Sequence, residues 1–229
     1  MKPHGPANDG KDKSDATNSR PEDLGRFRPL SPSQRENLAP GRFIPPHGGY
    51  ENLLSFQKAR IVYDGTVRFC ERFLRKSDRT FDQMIQAARS GKQNILEGSE
   101  ASGLSKETEI KLTGVARASL GELLEDYRDF LRVRGVEEWS KERRYTRRLR
   151  ELNRQPNANY QTFKKGIEHP DPAIAANVMI GLIKLTNYLL DQQIRHLEKA
   201  FVEEGGLRER MTRARLAQRA KQTYNPQKP

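Results

Sequence analysis

A chain of 229 residues is long enough for one good core with arms attached. Its 42 lysines and arginines against 30 aspartates and glutamates leave a formal net charge of +12, which favours polyanions or an anionic surface as partners over anionic proteins in general and says nothing about fold. The single cysteine, Cys70, excludes an internal disulfide and fits a reducing compartment; between Phe69 and Phe73 it reads as a small buried apolar residue, not a catalytic thiol.

Residues 1–50 are rich in Pro, Gly, Ser, Asn and Asp and poor in large apolar side chains. They bury too little surface to offset the entropy of ordering, so a disordered arm is expected, with "GRFIPPHGGY" as its docking end. Its 8 basic and 6 acidic residues do not make a nucleic-acid tail by charge. The N-terminus is polar, with no apolar run after Lys2, which reads as no signal peptide. The longest mostly apolar stretch, residues 173–183, falls short of the ~20 residues that span a bilayer, so a soluble cytoplasmic protein without membrane association is expected.

Helical spacing begins at Glu51. Phe56, Ala59, Val62, Tyr63, Thr66, Val67, Cys70, Phe73 and Leu74 recur at steps of three and four and predict a first helix with one broad apolar face. "KSDRT" at 76–80 breaks it, and Ser77 or Asp78 can cap the next. The second helix contains "QAARSGKQNILEGSEASG", residues 86–103, whose Gly-Lys pair suggests a phosphate-binding loop. That motif needs a glycine five residues before Gly-Lys and a Ser or Thr after it; Gln86 and Gln93 stand there instead, and no strand precedes them. On a helix, Ala87, Gly91, Asn94 and Gly98 stack on one side with Met84, Ala88 and Ile95. Each helical glycine costs ~1 kcal/mol relative to alanine, so two on the apolar stripe imply a neighbour that approaches closely.

Ser105 is a cap for the third helix, with Glu107 and Glu109 at the positive end of its dipole. Leu112, Ala116, Ser119, Leu123, Tyr127 and Phe130 form its stripe, and Gly135 stops it after Arg134. Residues 136–170 make a basic connection with nine basic and five acidic residues. A short amphipathic helix in "KERRYTRRLRELNRQ" aligns Arg143, Arg147, Arg150 and Arg154 on one face, opposite Tyr145, Leu149 and Leu152. Asp171 and Pro172 open the fourth long helix as cap and first helical position. It carries two apolar faces: Ile174, Val178, Gly181, Leu185 and Leu189, and nearly opposite, Ile183, Leu190, Ile194, Leu197 and Phe201. In four helices alone one face would stay exposed, which predicts self-association through it. Gly205-Gly206 ends this helix, and the tail 205–229, with seven basic residues and one acidic, extends as a frayed helix.

The words within this pattern are specific. "AARSGKQNILEG" (87–98), followed by "ARASLGEL" (116–123), resembles the four-helix bundle family first noticed in intervening sequences of bacterial 23S ribosomal RNA genes. Ser90, Asn94, Ile95, Glu97 and Gly98 match that family's second-helix signature, and Ala116, Arg117, Ser119, Leu120, Glu122 and Leu123 its third-helix signature. Residues 187–211 look like the subgroup with a four-helix-bundle suffix region. The resemblance covers about residues 51–135 and 171–213. It implies an antiparallel four-helix bundle assembled as a ring-like pentamer. A related branch is the accessory protein of diversity-generating retroelements, which binds a reverse transcriptase and nucleic acid. Gly91-Lys92 stands where the family often has an apolar-Pro pair, so a straighter, closely packed second helix is expected. Asn94 and Glu97 are expected as buried hydrogen-bond partners of helix three, at Ser119 or Arg117.

The division is then an arm (1–50), a bundle (51–204, including the connection 136–170) and a basic tail (205–229). Catalysis finds little support. His4, His47, His169 and His196 are scattered, no metal-ligand pair stands at helical spacing, and Glu97 and Glu100 lack an electrophilic or metal partner, so no catalytic residue, metal or cofactor is assigned. Of the net +12, the connection contributes +4 and the tail +6. Nucleic-acid binding without strong sequence specificity is therefore expected from Arg143, Arg147, Arg150, Arg154, Arg208, Arg213 and Arg215 against phosphates. The bland reading is a solvated charged face. Aromatic residues for base stacking are sparse in both pieces (Tyr145, Tyr160, Phe163, Tyr224), which argues against sequence-specific reading of single strands. The alternative is a protein-interaction scaffold or an accessory subunit of a nucleic-acid enzyme such as a reverse transcriptase. A peripheral membrane protein ranks last, lacking a large aromatic-rich amphipathic face.

Overall fold

The computed structural model describes Ile44 and residues 47–155 and 157–223. The arm expected over 1–50 lies outside the described residues apart from Ile44 and 47–50, as does the end of the tail, 224–229. The described chain is all-helical. A 3-10 turn at Tyr50–Asn52 precedes α1 (Leu54–Phe73), α2 (Arg79–Ala101), α3 (Lys106–Val133), α4 (Arg144–Arg154), α5 (Tyr160–Ile167), α6 (Pro172–Glu204) and α7 (Leu207–Thr223).

Local chemistry sets the boundaries. Asp78 caps α2 by accepting from the Thr80 N–H (3.0 Å), Ser105 caps α3 through the Thr108 N–H (3.1 Å), and Asp171 caps α6 through the Ala173 N–H (2.8 Å) ahead of Pro172. Gly135, at φ +66°, adopts the left-handed conformation that lets the chain leave α3.

Helix α1 packs against α2 and α6, and α3 packs against the same two. The core between them holds Phe69, Tyr127, Phe130, Met84, Ile95, Leu120, Leu123, Met179 and Ile183, all buried. Phe69 meets Tyr127 and Phe130 edge-on at 4.9 and 4.8 Å between centroids, and the buried Tyr127 hydroxyl pairs with Thr66 Oγ1 at 3.2 Å, so α1 and α3 also touch through the centre. Cys70 is fully buried there, and burial pushes its thiol up to about 12.

Helix α2 runs unbroken through Gly91-Lys92. A Cβ at Gly91 would lie 2.6 Å from Leu120, and one at Gly98 would lie 3.4 Å from the Glu109 carbonyl oxygen, so both glycines face α3. Polar pairing along this seam differs from the expected set. Ser90 Oγ pairs with Ser119 Oγ at 3.0 Å, and Asn94 donates back to the Ser90 carbonyl (2.9 Å) on its own helix. Glu97 is exposed, and Arg117 turns to Asp191 of α6 (3.0 Å). Residues 47–50 dock on the far end of α2: the Gly48 N–H donates to the Ser99 carbonyl, and Ser99 Oγ donates to the Gly48 carbonyl, both at 3.1 Å.

The connection holds two helices, not one. Helix α5 is fixed by a capping box between Asn159 and Thr162 and by the buried Phe163 and Ile167. Together α4 and α5 cover the α6 face expected to stay exposed. Leu149 lies on Gly181, and Gly166 approaches Val178 so closely that an added Cβ would sit 3.0 Å away. The first half of α6 is consequently buried nearly all round. The Val178–Gly181 part of that face therefore has its partners within the chain. The same burial accounts for the apolarity of α6. The stretch Pro172–Gln222 contains an 18-residue window apolar enough by length and composition to cross a membrane, but 67% of that window is buried within the protein.

Candidate nucleic-acid interface

The seven arginines singled out in the sequence fall on α4, on the residue that precedes it, and on α7. Helix α4 is positioned from both of its ends. Glu138 accepts from Arg128 Nε (2.9 Å) and from Lys184 Nζ, tying the start of the connection to α3 and α6. Burial pushes the Glu138 carboxyl up, but the hydrogen bonds from Lys184 and Arg128 together hold it below its ordinary value. The Trp139 N–H donates to Oδ1 of the buried Asn177 at 2.7 Å, and Asn177 Nδ2 is held in turn by the Ala173 carbonyl (3.0 Å). Leu149 then anchors the middle of α4 on Gly181, with Leu152 beside it against the core.

This anchoring turns the opposite face outward. Arg143, Arg147, Arg150 and Arg154 are all exposed and lie within about 60° of one another around the helix. Arg150 donates to the Lys141 carbonyl (2.7 Å), and none of the four forms an ion pair among the described residues. Arg148, on the flank, is paired with Glu151 at 3.0 Å. The helix has no side-chain N-cap and no acidic residue in its first turn, and Arg143 and Arg144 stand at its positive pole, where cations are disfavoured.

Helix α7 is almost wholly exposed. Arg208 and Arg215, two turns apart, share one face; Arg213 lies on another and donates to the Glu204 carbonyl. Arg210 reaches the Gly103 carbonyl (3.4 Å) and ties α7 to the turn between α2 and α3. At ~1.5 Å per residue, the run of α6 from Gly181, beneath α4, to Gly205, before α7, is roughly 36 Å long. The two groups of arginines therefore form separate patches at different ends of α6.

Sequence reasoning passed over a groove of about 400 Å³ between α3 and α6, lined by Arg117, Gly121, Arg128, Lys184, Asn187 and Tyr188 among others. A Cβ at Gly114 would meet nothing within 4 Å, and one at Gly121 only an Arg117 nitrogen at 3.8 Å. Asn187 is 93% buried, and its Oδ1 has no hydrogen-bond partner among the described residues. The signal was available in Gly114 and Gly121, two helical glycines away from the apolar stripe. Among the described residues no group of three His, Cys, Asp or Glu is placed to hold a metal ion. Comparisons of the chain with protein-family models, with curated proteins and with solved structures found no match in any of the three.

Proposed function

We propose that this protein is a non-enzymatic, antiparallel four-helix bundle that self-associates and binds nucleic acid through phosphate contacts. The bundle reading rests on the order of the contacts. Ser90 meets Ser119 while Gly98 meets Glu109, and Ser55 bonds Gln193 (2.7 Å) while Gly65 meets Met179, so partners run in opposite directions. The binding reading rests on one observation: four guanidinium groups on one outward face of α4, none of them in an ion pair among the described residues. Arginines held in a row by a packed helix present fixed charge to a phosphate chain.

A salt titration tests it. With all four arginines on phosphates of a duplex, log K falls against log salt with a slope of roughly −3 to −4. Replacing Arg147 and Arg154 by Gln lowers that slope by about 2 while helix content is unchanged. No measurable affinity for duplex DNA or structured RNA at low ionic strength overturns the reading.

The groove between α3 and α6 favours self-association there, because Gly114 and Gly121 let a second backbone come close. A solution mass several times that of the chain, reduced by Gly121→Leu, is the expected result. The same groove supports the second reading, a scaffold for a different protein. That reading gains if the chain is monomeric in solution, binds no nucleic acid, and still captures a purified partner through this face.

A further inference from the structure

The single tryptophan of the chain lies at the head of the arginine ridge. Trp139 and Tyr145 are stacked, with ring centroids 5.1 Å apart and planes 23° apart. Trp139 is half-buried against the core, and Tyr145 is 48% exposed in the first turn of α4. Arg143 lies over the Trp139 ring (5.5 Å to the centroid) and Arg144 over Tyr145 (5.8 Å). The pair is held from below: the Trp139 backbone by Asn177, and its neighbour Glu138 by Arg128 and Lys184. A partly exposed aromatic surface therefore stands between Arg143 and Arg144, neither of which forms an ion pair among the described residues. Scarcity of aromatic residues in the sequence argued against stacking, but that reading passed over Trp139, which the turn before α4 brings onto Tyr145 within the same connection.

We propose that Trp139 and Tyr145 form a platform on which an unpaired nucleobase stacks, while Arg143 and Arg144 take the adjoining phosphates. The partner is then a nucleic acid with a single-stranded segment. This rests on the nucleic-acid reading above and makes it narrower. Aromatic faces accept any base, so the platform selects for unpaired bases and not for sequence. Arginine beside an aromatic ring suits the role, since the guanidinium meets phosphate in a bidentate manner and leaves the ring free when it does so.

The experiment uses the full chain at low salt and three probes of equal length: a fifteen-nucleotide oligothymidine (~15 bases, the scale of known single-strand sites), the same backbone carrying abasic sites, and a duplex. Binding is followed by anisotropy of a labelled probe, and stacking by Trp139 emission, which no other tryptophan contaminates. Oligothymidine should quench Trp139 and bind on the order of tenfold more tightly than the abasic strand, since stacking contributes ~1–3 kcal/mol per base. Tyr145→Leu should remove about that factor and leave the salt slope unchanged; Tyr145→Phe should retain it, which separates stacking from a folding defect. Equal affinity for thymidine and abasic strands, or Trp139 emission unmoved at saturation, overturns the platform while leaving the phosphate reading intact. Absence of binding by all three probes overturns both.

Discussion

Substituting Gly91 and Gly98 by alanine, one at a time, should move stability in opposite directions. A Cβ built at Gly91 lies 2.6 Å from both Cγ and Cδ2 of Leu120. Carbon atoms in ordinary contact stay ~3.5–4.0 Å apart, so the overlap is about 1 Å on two atoms. Leu120 is fully buried, and its Cγ is a branch point, so relief requires a new rotamer in a filled core or a separation of α2 from α3. Overpacking of this kind costs ~1–3 kcal/mol, against a gain of ~1 kcal/mol in helix propensity. Two overlapping atoms favour the upper part of that range, so Gly91→Ala should destabilise by about 1–2 kcal/mol. At Gly98 the nearest atoms, the Glu109 carbonyl oxygen and Leu112 Cβ, would be 3.4 Å away, which is contact without overlap. The propensity term then stands alone, and Gly98→Ala should stabilise by about 1 kcal/mol or slightly less. Urea unfolding followed by far-UV circular dichroism, at one fixed protein concentration, measures both. A Gly91→Ala protein as stable as the parent would refute the claim that Leu120 fills the notch this glycine leaves.

Three further outcomes follow from buried or half-buried ionisable groups. Cys70, fully buried with its thiol pushed up to about 12 by burial, should resist alkylation at neutral pH in the folded protein and react only as the fold opens; modification at the rate of a free thiol contradicts its placement. Glu138→Gln should cost about 1–2 kcal/mol at neutral pH. Because the folded-state carboxyl is held below its ordinary value, the contribution is present above the unfolded carboxylate pKa and vanishes as pH falls through the folded one, so parent and variant should converge in acid unfolding curves. Lys58 is 95% buried over the Phe163 ring (5.2 Å), and burial holds its ammonium below the ordinary lysine value. The folded state then binds its proton less well than the unfolded one, so Lys58→Met should match or exceed the parent by about 1 kcal/mol at neutral pH, with the advantage shrinking as pH rises toward the lysine range.

How much of this could be read from the sequence depended on whether the signal was local. The caps at Asp78, Ser105 and Asp171 act within three residues, and each works as its type suggests. The inward glycines of α2 were legible because a 3.6-residue period places them on the apolar stripe. What escaped was either weakly periodic or non-local. Helix α5 is only eight residues long, and its Asn159–Thr162 box with Tyr160, Phe163 and Ile167 at steps of three and four is a brief pattern inside a charged segment. The covering of α6 could not be seen without it, because the Val178–Gly181 part of its first apolar face is met by Gly166 and Leu149 of the connection. The arginine ridge was legible as a helical face, but the Trp139–Tyr145 stack depends on how the chain turns between α3 and α4.

The glycines of α3 draw these threads together. Gly91 of α2, Gly65 of α1 and Gly181 of α6 each face a side chain of this same chain, and the close approach offsets the ~1 kcal/mol that a helical glycine costs. Gly114 and Gly121 carry the same cost and face nothing that offsets it. They lie two turns apart on one face of α3, and the groove beside Gly121 also holds the buried Asn187 oxygen without a donor. An approaching helix would supply the missing contact at both glycines. If that helix belongs to another copy, each assembly repeats the α4 and α7 patches, and a nucleic acid long enough to reach two of them is held at an effective concentration set by their spacing. Affinity should then rise more steeply with probe length for the parent than for Gly121→Leu, while a probe covering a single α4 ridge is bound equally by both. A length dependence that survives Gly121→Leu unchanged would detach binding from assembly and leave the outer glycines of α3 without an explanation.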